Sequence, residues 1–280
     1  MILNGKTVAD NIKRRLKEEI ITSDKRPPKL IIVTIGDDPA SKVYVRNKMK
    51  AAEEIGVIAI HFPMSEPVDE EYVKEIISKF NQDDAVDGIM VQLPLPAGYN
   101  ERCIIDAIDP SKDVDGLTTV NIGRLRSGKP CLKPCTAQGI IDLCRYYNID
   151  LDGKDVAIIG RSNIVGKPLA DLMMAAGATV TQCHSHTKHL SDHTEYADII
   201  VSAIGKPKFI DFDHLGSGKV VIDVGINRDE NGKLCGDVDF DSVQAFCEHI
   251  TPVPGGVGPM TVAELMQNVV QAWRINTNED

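Results

Sequence analysis

The sequence predicts an α/β protein of two domains built from parallel strands and crossover helices. Three observations predict it. Strand-sized apolar runs alternate with helical stretches along most of the chain. An irregular stretch over residues 109–134, with Pro110, Gly116, Gly123, Gly128, Pro130 and Pro134, interrupts that alternation and marks a domain junction. Beyond it, a strand runs directly into a glycine loop and a helix. A length of 280 residues is long for one α/β domain and comfortable for two.

Residues 30–35 form a near-continuous apolar run ending in Gly36-Asp37-Asp38-Pro39, which predicts a buried strand and a loop. Ser41 begins a helix in which Val45, Met49 and Ala52 recur at i, i+4 and i+7, and Gly56 ends it. A strand over 57–62, a helix over 69–80 and a strand over 86–93 continue the pattern. After the junction come a helix over 136–147 and strands over 155–160, 178–183, 197–204 and 219–224. A Gly/Pro-rich loop over 252–259 precedes a last helix over 261–274.

Composition excludes several classes. With 31 Lys and Arg against 41 Asp and Glu, the chain lacks the basic excess of a general nucleic-acid binder. The longest apolar run is strand-sized, so no membrane span is expected. Seven cysteines, an odd number scattered through the chain, favour reduced thiols and the cytoplasm. His184, His186, His189 and His193 lack an accompanying acid or cysteine framework, and Cys131 and Cys135 lack a second pair, so no metal is expected.

Asp155-Val-Ala-Ile-Ile-Gly160 followed by Arg161-Ser-Asn-Ile-Val-Gly166-Lys-Pro-Leu169 reads as strand, glycine loop, helix. Its G-x5-G spacing departs from the usual dinucleotide fingerprint and leaves two readings, a phosphate loop or a plain βα turn. Arg161 directly after the first glycine favours phosphate, although a solvated loop arginine would look the same. The next strand ends in Gln182-Cys-His-Ser-His186, with no acid to meet a ribose hydroxyl, which favours NADP over NAD.

Tyr44 and Lys48, four residues apart, share one helix face. A lysine over a partly buried pocket can transfer protons; equally, its stem can simply cover the tyrosine ring. The same Tyr-x-x-x-Lys spacing occurs in short-chain dehydrogenases. There it follows the glycine loop, whereas here it precedes Gly160 by more than a hundred residues.

Five blocks stand together in order: Ser41-Lys-Val-Tyr44-Val-Arg-Asn-Lys48, Val91-Gln92-Leu93-Pro-Leu-Pro96, Lys112-Asp-Val-Asp115-Gly116, Gly160-Arg-Ser-Asn-Ile-Val-Gly166-Lys-Pro168 and Thr251-Pro-Val-Pro-Gly-Gly-Val-Gly-Pro-Met-Thr261. Together they closely resemble the bifunctional methylenetetrahydrofolate dehydrogenase/cyclohydrolase family. The resemblance implies a folate-binding catalytic domain over 1–118 and 262–280, and a Rossmann-like NADP-binding domain over 119–261. It further implies that the two face a cleft, that the C-terminal helix packs back on the first domain, and that the protein is a homodimer acting on tetrahydrofolate one-carbon derivatives.

By the same resemblance, Lys48 is the catalytic lysine and Gln92 the residue that positions it. Tyr44 packs on the folate, Asp115 hydrogen-bonds its pterin, and Leu93, Pro254, Gly255 and Gly256 lie along it. Gly160, Arg161, Ser162, Ile164, Val165, Ser185 and Ile226 match cofactor-contacting positions. The stretch after Cys183 varies among members of the family.

These residue types suit that chemistry. Hydride loss from a carbon between two nitrogens leaves a shared cation and removes no proton, so that step asks for alignment. Hydrolysis of the cation needs water to lose a proton and a ring nitrogen to gain one, which a lysine amine can do. Two rival readings are a different dehydrogenase of the same build and a non-catalytic NADP sensor. The blocks around Gln92 and Asp115 disfavour the first, since hydride transfer alone would not need them. Retention of both Tyr44 and Lys48 disfavours the second.

Overall fold

The computed structural model describes residues 1–216 and 218–277. Residue 217, within the expected range 119–261, and residues 278–280, within 262–280, lie outside the described residues. In chain order the elements are α1 (Gly5–Thr22), β1 (Lys29–Ile35), α2 (Pro39–Ile55), β2 (Ile58–Met64), α3 (Glu70–Gln82), β3 (Gly88–Val91), α4 (Glu101–Ile105) and α5 (Thr119–Arg126). There follow α6 (Cys135–Tyr146), β4 (Asp155–Ile159), α7 (Gly166–Ala175), β5 (Thr179–Cys183), α8 (Leu190–Thr194), β6 (Ile199–Ser202), α9 (Phe212–Leu215) and β7 (Val220–Asp223). The chain closes with β8 (Asn227–Arg228), β9 (Leu234–Cys235), α10 (Phe240–Val243), β10 (His249–Ile250) and α11 (Val257–Asn276).

The chain divides into two compact units, one of Asp10–Cys135 with Val262–Asp280, the other of Met1–Ala9 with Thr136–Thr261. In the first, three parallel strands lie in the order β2-β1-β3. Central β1 is buried on both faces, which is why its sequence is almost wholly apolar. Alternate residues point to opposite sides. Leu30 and Ile32 pack with Val45 and Ile55 of α2, Leu16 of α1 and Val269, Val270 and Trp273 of α11. Ile31, Val33 and Ile35 pack with Val73 and Ile77 of α3 and Ile104 of α4. The Asp38 carboxylate caps α2 by accepting from the Ser41 amide at 2.7 Å, and Gly56 at φ 90° ends it.

The expected boundary at 118/119 differs from this division at both ends. Residues 119–135 stay with the three-stranded unit because the Cys135 thiol donates to the Val114 carbonyl and the Asn268 amide donates to the Val114 and Lys133 carbonyls. Met1–Ala9 belongs to the other unit. There the Leu3 amide donates to the Ile250 carbonyl at 2.8 Å and the Lys6 amide to the Gly255 carbonyl at 3.1 Å. The last helix begins at Val257, four residues before the expected Thr261, since Pro259 sits in its first turn, where no intrahelical N–H partner is lost.

The second unit carries five parallel strands in the order β10-β7-β6-β4-β5. From β4 the chain moves first to one neighbour, β5, and later to the other, β6. The strand order therefore reverses at β4, and the carboxyl end of β4 is the position at which open α/β sheets bind ligands. No helix among the described residues is long and apolar enough to cross a membrane. All seven cysteines are free thiols.

Candidate active site

The side chains singled out in the sequence fall into two groups, one in each unit. In the three-stranded unit, α2 carries Tyr44, 38% exposed, and Lys48, only 8% exposed. The Lys48 ammonium donates to Gln92 Oε1 at 3.0 Å. Gln92 follows β3, its backbone amide bonded to the Val33 carbonyl at 2.9 Å. Its side-chain nitrogen donates to the Leu93 carbonyl at 2.6 Å, which turns its oxygen toward the lysine. The Leu93-Pro94 peptide is cis. Lys48 is thus a buried amine held by a neutral acceptor.

Asp115 follows a segment that runs beside β3. Residues 112–114 run beside β3, with the Ile89 amide donating to the Lys112 carbonyl at 2.7 Å and a parallel bridge between Ile89 and Asp113. Half-buried Asp115 lies in the turn that ends this pairing, where the Gly116 amide donates to the Asp113 carbonyl at 3.0 Å. Buried Asp113 holds the turn, accepting from the Leu117 and Thr118 amides at 3.2 and 2.8 Å and from the Asn121 side chain at 2.9 Å. Burial pushes the Asp113 carboxyl above its usual range, against the pull of those donors. Burial also raises the Cys135 thiol, with Asp115 and Glu264 adding to the effect and Lys48 opposing it. Asp113, Cys135 and Glu264 are neighbours of the site that the motifs did not single out. A cavity of about 460 Å³ opens beside the group; Gln92 lines it with Thr34, His61, Arg46 and Met49, whereas Tyr44, Lys48 and Asp115 do not.

In the five-stranded unit, Gly160 closes β4 at φ 129°, and a Cβ there would stand 2.4 Å from the Ala203 carbonyl oxygen. A Cβ on Gly166 would stand 2.3 Å from the Gly160 carbonyl oxygen. The turn closes only with glycine at both places. Ser162 Oγ accepts from the Val165 and Gly166 amides at 3.1 and 3.4 Å, which holds the turn into α7. Arg161, Ser162 and Ile164 are exposed at this loop, and Val165 is half-buried. Ser185 is exposed in the turn after β5, and Ile226, 49% exposed, follows β7. Partial burial, then the Arg161 guanidinium, then His186 hold His184 below its usual pKa, so Arg161 acts on the segment after β5. His184 is a residue the family blocks did not assign. Pro254, Gly255 and Gly256 belong to this unit, on the segment before α11, with the Val253-Pro254 peptide cis. No group of three or more His, Cys, Asp or Glu among the described residues stands together as a metal site.

A parallel sheet with its glycine loop at the switch point, joined to a unit bearing a buried lysine, defines a two-domain nucleotide-dependent α/β enzyme. Residues 3–115 match the catalytic domain of tetrahydrofolate dehydrogenase/cyclohydrolase, and residues 134–277 match the NAD(P)-binding domain of the same enzyme. The chain is 52% identical over 275 residues to the bifunctional protein FolD of Agathobacter rectalis, covering 98% of this chain and 99% of that one. Among solved structures, it superposes on the bifunctional FolD enzyme of Campylobacter jejuni with a TM-score of 0.96 at 43% identity, covering 100% and 99% of the two chains. The Trypanosoma brucei methylenetetrahydrofolate dehydrogenase-cyclohydrolase, solved with NADP and an inhibitor, matches at 0.93 and 35% identity over 99% and 98%. The chain belongs to the tetrahydrofolate dehydrogenase/cyclohydrolase family.

Proposed function

We propose that this protein oxidises 5,10-methylenetetrahydrofolate to the 5,10-methenyl compound with NADP, and then hydrolyses that product to 10-formyltetrahydrofolate. The observation that carries the reading is the buried Lys48–Gln92 pair at 3.0 Å. Hydride departure leaves a cation shared over N–C–N and moves no proton, so the protein's part in it is alignment and exclusion of water. In hydrolysis, the Lys48 amine takes the proton from water adding to the cation carbon and returns one to the departing ring nitrogen. Gln92 holds the amine by a neutral bond; a carboxylate in its place would favour the charged ammonium and hinder transfer.

Tyr44 stacks on the folate, Asp115 accepts from adjacent pterin N–H groups, and Leu93, Pro254, Gly255 and Gly256 line its path. Residues 1–118 with 262–280 serve the folate and residues 119–261 the dinucleotide. NADP, when bound, takes up the hydride at its nicotinamide. Gly160, Ser162, Ile164 and Val165 cradle its phosphates, Arg161 and Ser185 meet the 2′-phosphate, and Ile226 lies against the cofactor. The protein works as a cytoplasmic homodimer, without nucleic acid or membrane.

Lys48→Met tests the central role, keeping much of the stem and removing the amine. Methenyl hydrolysis is expected to fall roughly 100- to 10,000-fold, the loss typical of a general acid/base, with NADPH formation falling less. Undiminished hydrolysis in this variant, followed by loss of methenyl absorbance, would remove Lys48 from the chemistry.

A further inference from the structure

Two carboxylates in the five-stranded unit, Asp223 and Asp237, are 3% and 0% exposed. Neither can touch a ligand directly, yet between them they gather the segments that follow β6 and β7 at the carboxyl ends of those strands. Asp237 Oδ2 accepts from the Ser202 hydroxyl at 3.2 Å and from the Ile204 and Gly205 amides at 2.8 and 3.3 Å. Its Oδ1 accepts from the Lys206 amide at 2.9 Å and the Asn227 side chain at 2.8 Å. Asp223 Oδ1 accepts from the Gly225 and Asp237 amides, and its Oδ2 from the Val238 amide, all at 2.9 Å. The Asp223 amide in turn donates to Thr251 Oγ1 at 2.7 Å.

The backbone is built closely around these groups. A Cβ on Gly225 would lie 2.3 Å from Asp237 Oδ1, and one on Gly236 would lie 1.8 Å from Asp223 Oδ2. Neither glycine has a positive φ, so both are needed for space. Three successive amides converging on one point normally form an anion cradle. Here a protein carboxylate already fills it, so residues 204–206 are closed to phosphate. They lie at the carboxyl end of β6, which pairs with β4, whose own end carries the Gly160 loop.

We infer that Asp237, backed by Asp223, is a positioning residue for the dinucleotide, fixing residues 204–206 and 225–227 at the carboxyl end of the sheet where the cofactor lies. The inference rests on the proposed reading of that end of the sheet as the NADP site. Asp237→Asn preserves shape and replaces one acceptor oxygen by a donor NH₂. In either orientation that NH₂ meets buried N–H donors. The KM for NADP is expected to rise roughly 10- to 100-fold, the scale of one unmatched buried donor. The KM for methylenetetrahydrofolate should move less than about threefold, and the ratio of dehydrogenase to methenyl hydrolase activity should fall.

Asn227→Ala removes a single donor and leaves the carboxylate in place. It is expected to raise the NADP KM by roughly three- to tenfold, and it decides the matter if Asp237→Asn does not fold. Equal rises in both KM values, or both activities falling in proportion to folded protein, would overturn the inference and leave Asp237 a folding residue. Wild-type protein that binds no NADP by calorimetry would overturn the reading of the site itself, and the inference with it.

Discussion

Arg161 stands exposed at the head of the glycine loop, where its charge adds to partial burial in lowering the pKa of His184. NADP and NAD differ by one phosphate, and a guanidinium that reads it should matter for one cofactor only. Arg161→Ala is expected to raise the KM for NADP roughly 10- to 100-fold, the worth of a charge-assisted contact, and to leave NAD nearly untouched. Equal losses with both cofactors would make Arg161 a loop support. Asp223 offers a different measurement, because burial pushes its carboxyl up from 3.8 to about 6. Between those values the unfolded chain has released a proton that the folded chain keeps. The stability this group contributes therefore declines as pH rises through that window and is level above it. From pH 5 to 7.5 the decline is about 1.4 kcal/mol. Urea unfolding of wild type and Asp223→Asn should show the wild-type advantage larger by that amount at pH 5; an equal gap at both values would return Asp223 to an ordinary carboxylate. The motifs made Lys48, Gln92 and Arg161 legible because their chemistry is carried by side chains in ordered blocks. Asp237 was not legible, since four of its five donors come from residues 202–206, three of them backbone amides.

Elements were legible where pattern and packing agree. β1 and β4 read as strands because a strand covered on both faces must be apolar throughout, and Gly56 marked the end of α2; its start was placed at Ser41, two residues late, because the Asp38 cap and first-turn Pro39 look like loop residues in sequence. α1 escaped notice beneath its many charges, although Ile12, Leu16 and Ile20 recur at i, i+4 and i+8 and pack into the core. The start of α11 was read late because Pro252, Pro254 and Pro259 look alike in sequence, yet only Pro259 stands inside a first helical turn. The two-residue strands β8 and β9 were too short for any periodicity; only Asn231-Gly232 in their connection hinted at a hairpin.

At the scale of the whole molecule, neither unit is a continuous stretch of chain. Leu3 is fully buried, and Met1–Leu3 lines the free edge of β10 through Leu3 and Met1 bonds to Ile250. Such pairings span 247 and 249 residues and leave no local trace, so the boundary read from the Pro/Gly stretch missed them. Leu3→Ala is expected to cost about 2–5 kcal/mol and to open this edge first. Hydrogen exchange should speed up around residues 249–251 while β1 keeps its protection; unchanged exchange at 249–251 would mean the N-terminal strand adds nothing to the sheet.

The helix that completes the three-stranded core has a consequence for how the protein is made. Trp273, Val269 and Val270 seal a surface whose other residues, among them Leu16, Leu30 and Ile55, leave the ribosome far earlier. Between Cys135 and Val262 lie the 126 residues of Thr136–Thr261. At roughly 5–20 residues per second, their translation takes about 6–25 seconds. Throughout that interval the nascent N-terminal region carries an uncovered apolar face, a natural client for chaperones that hold chains during synthesis. That face is closed only when Val269, Val270 and Trp273 have been made and α11 has packed onto it.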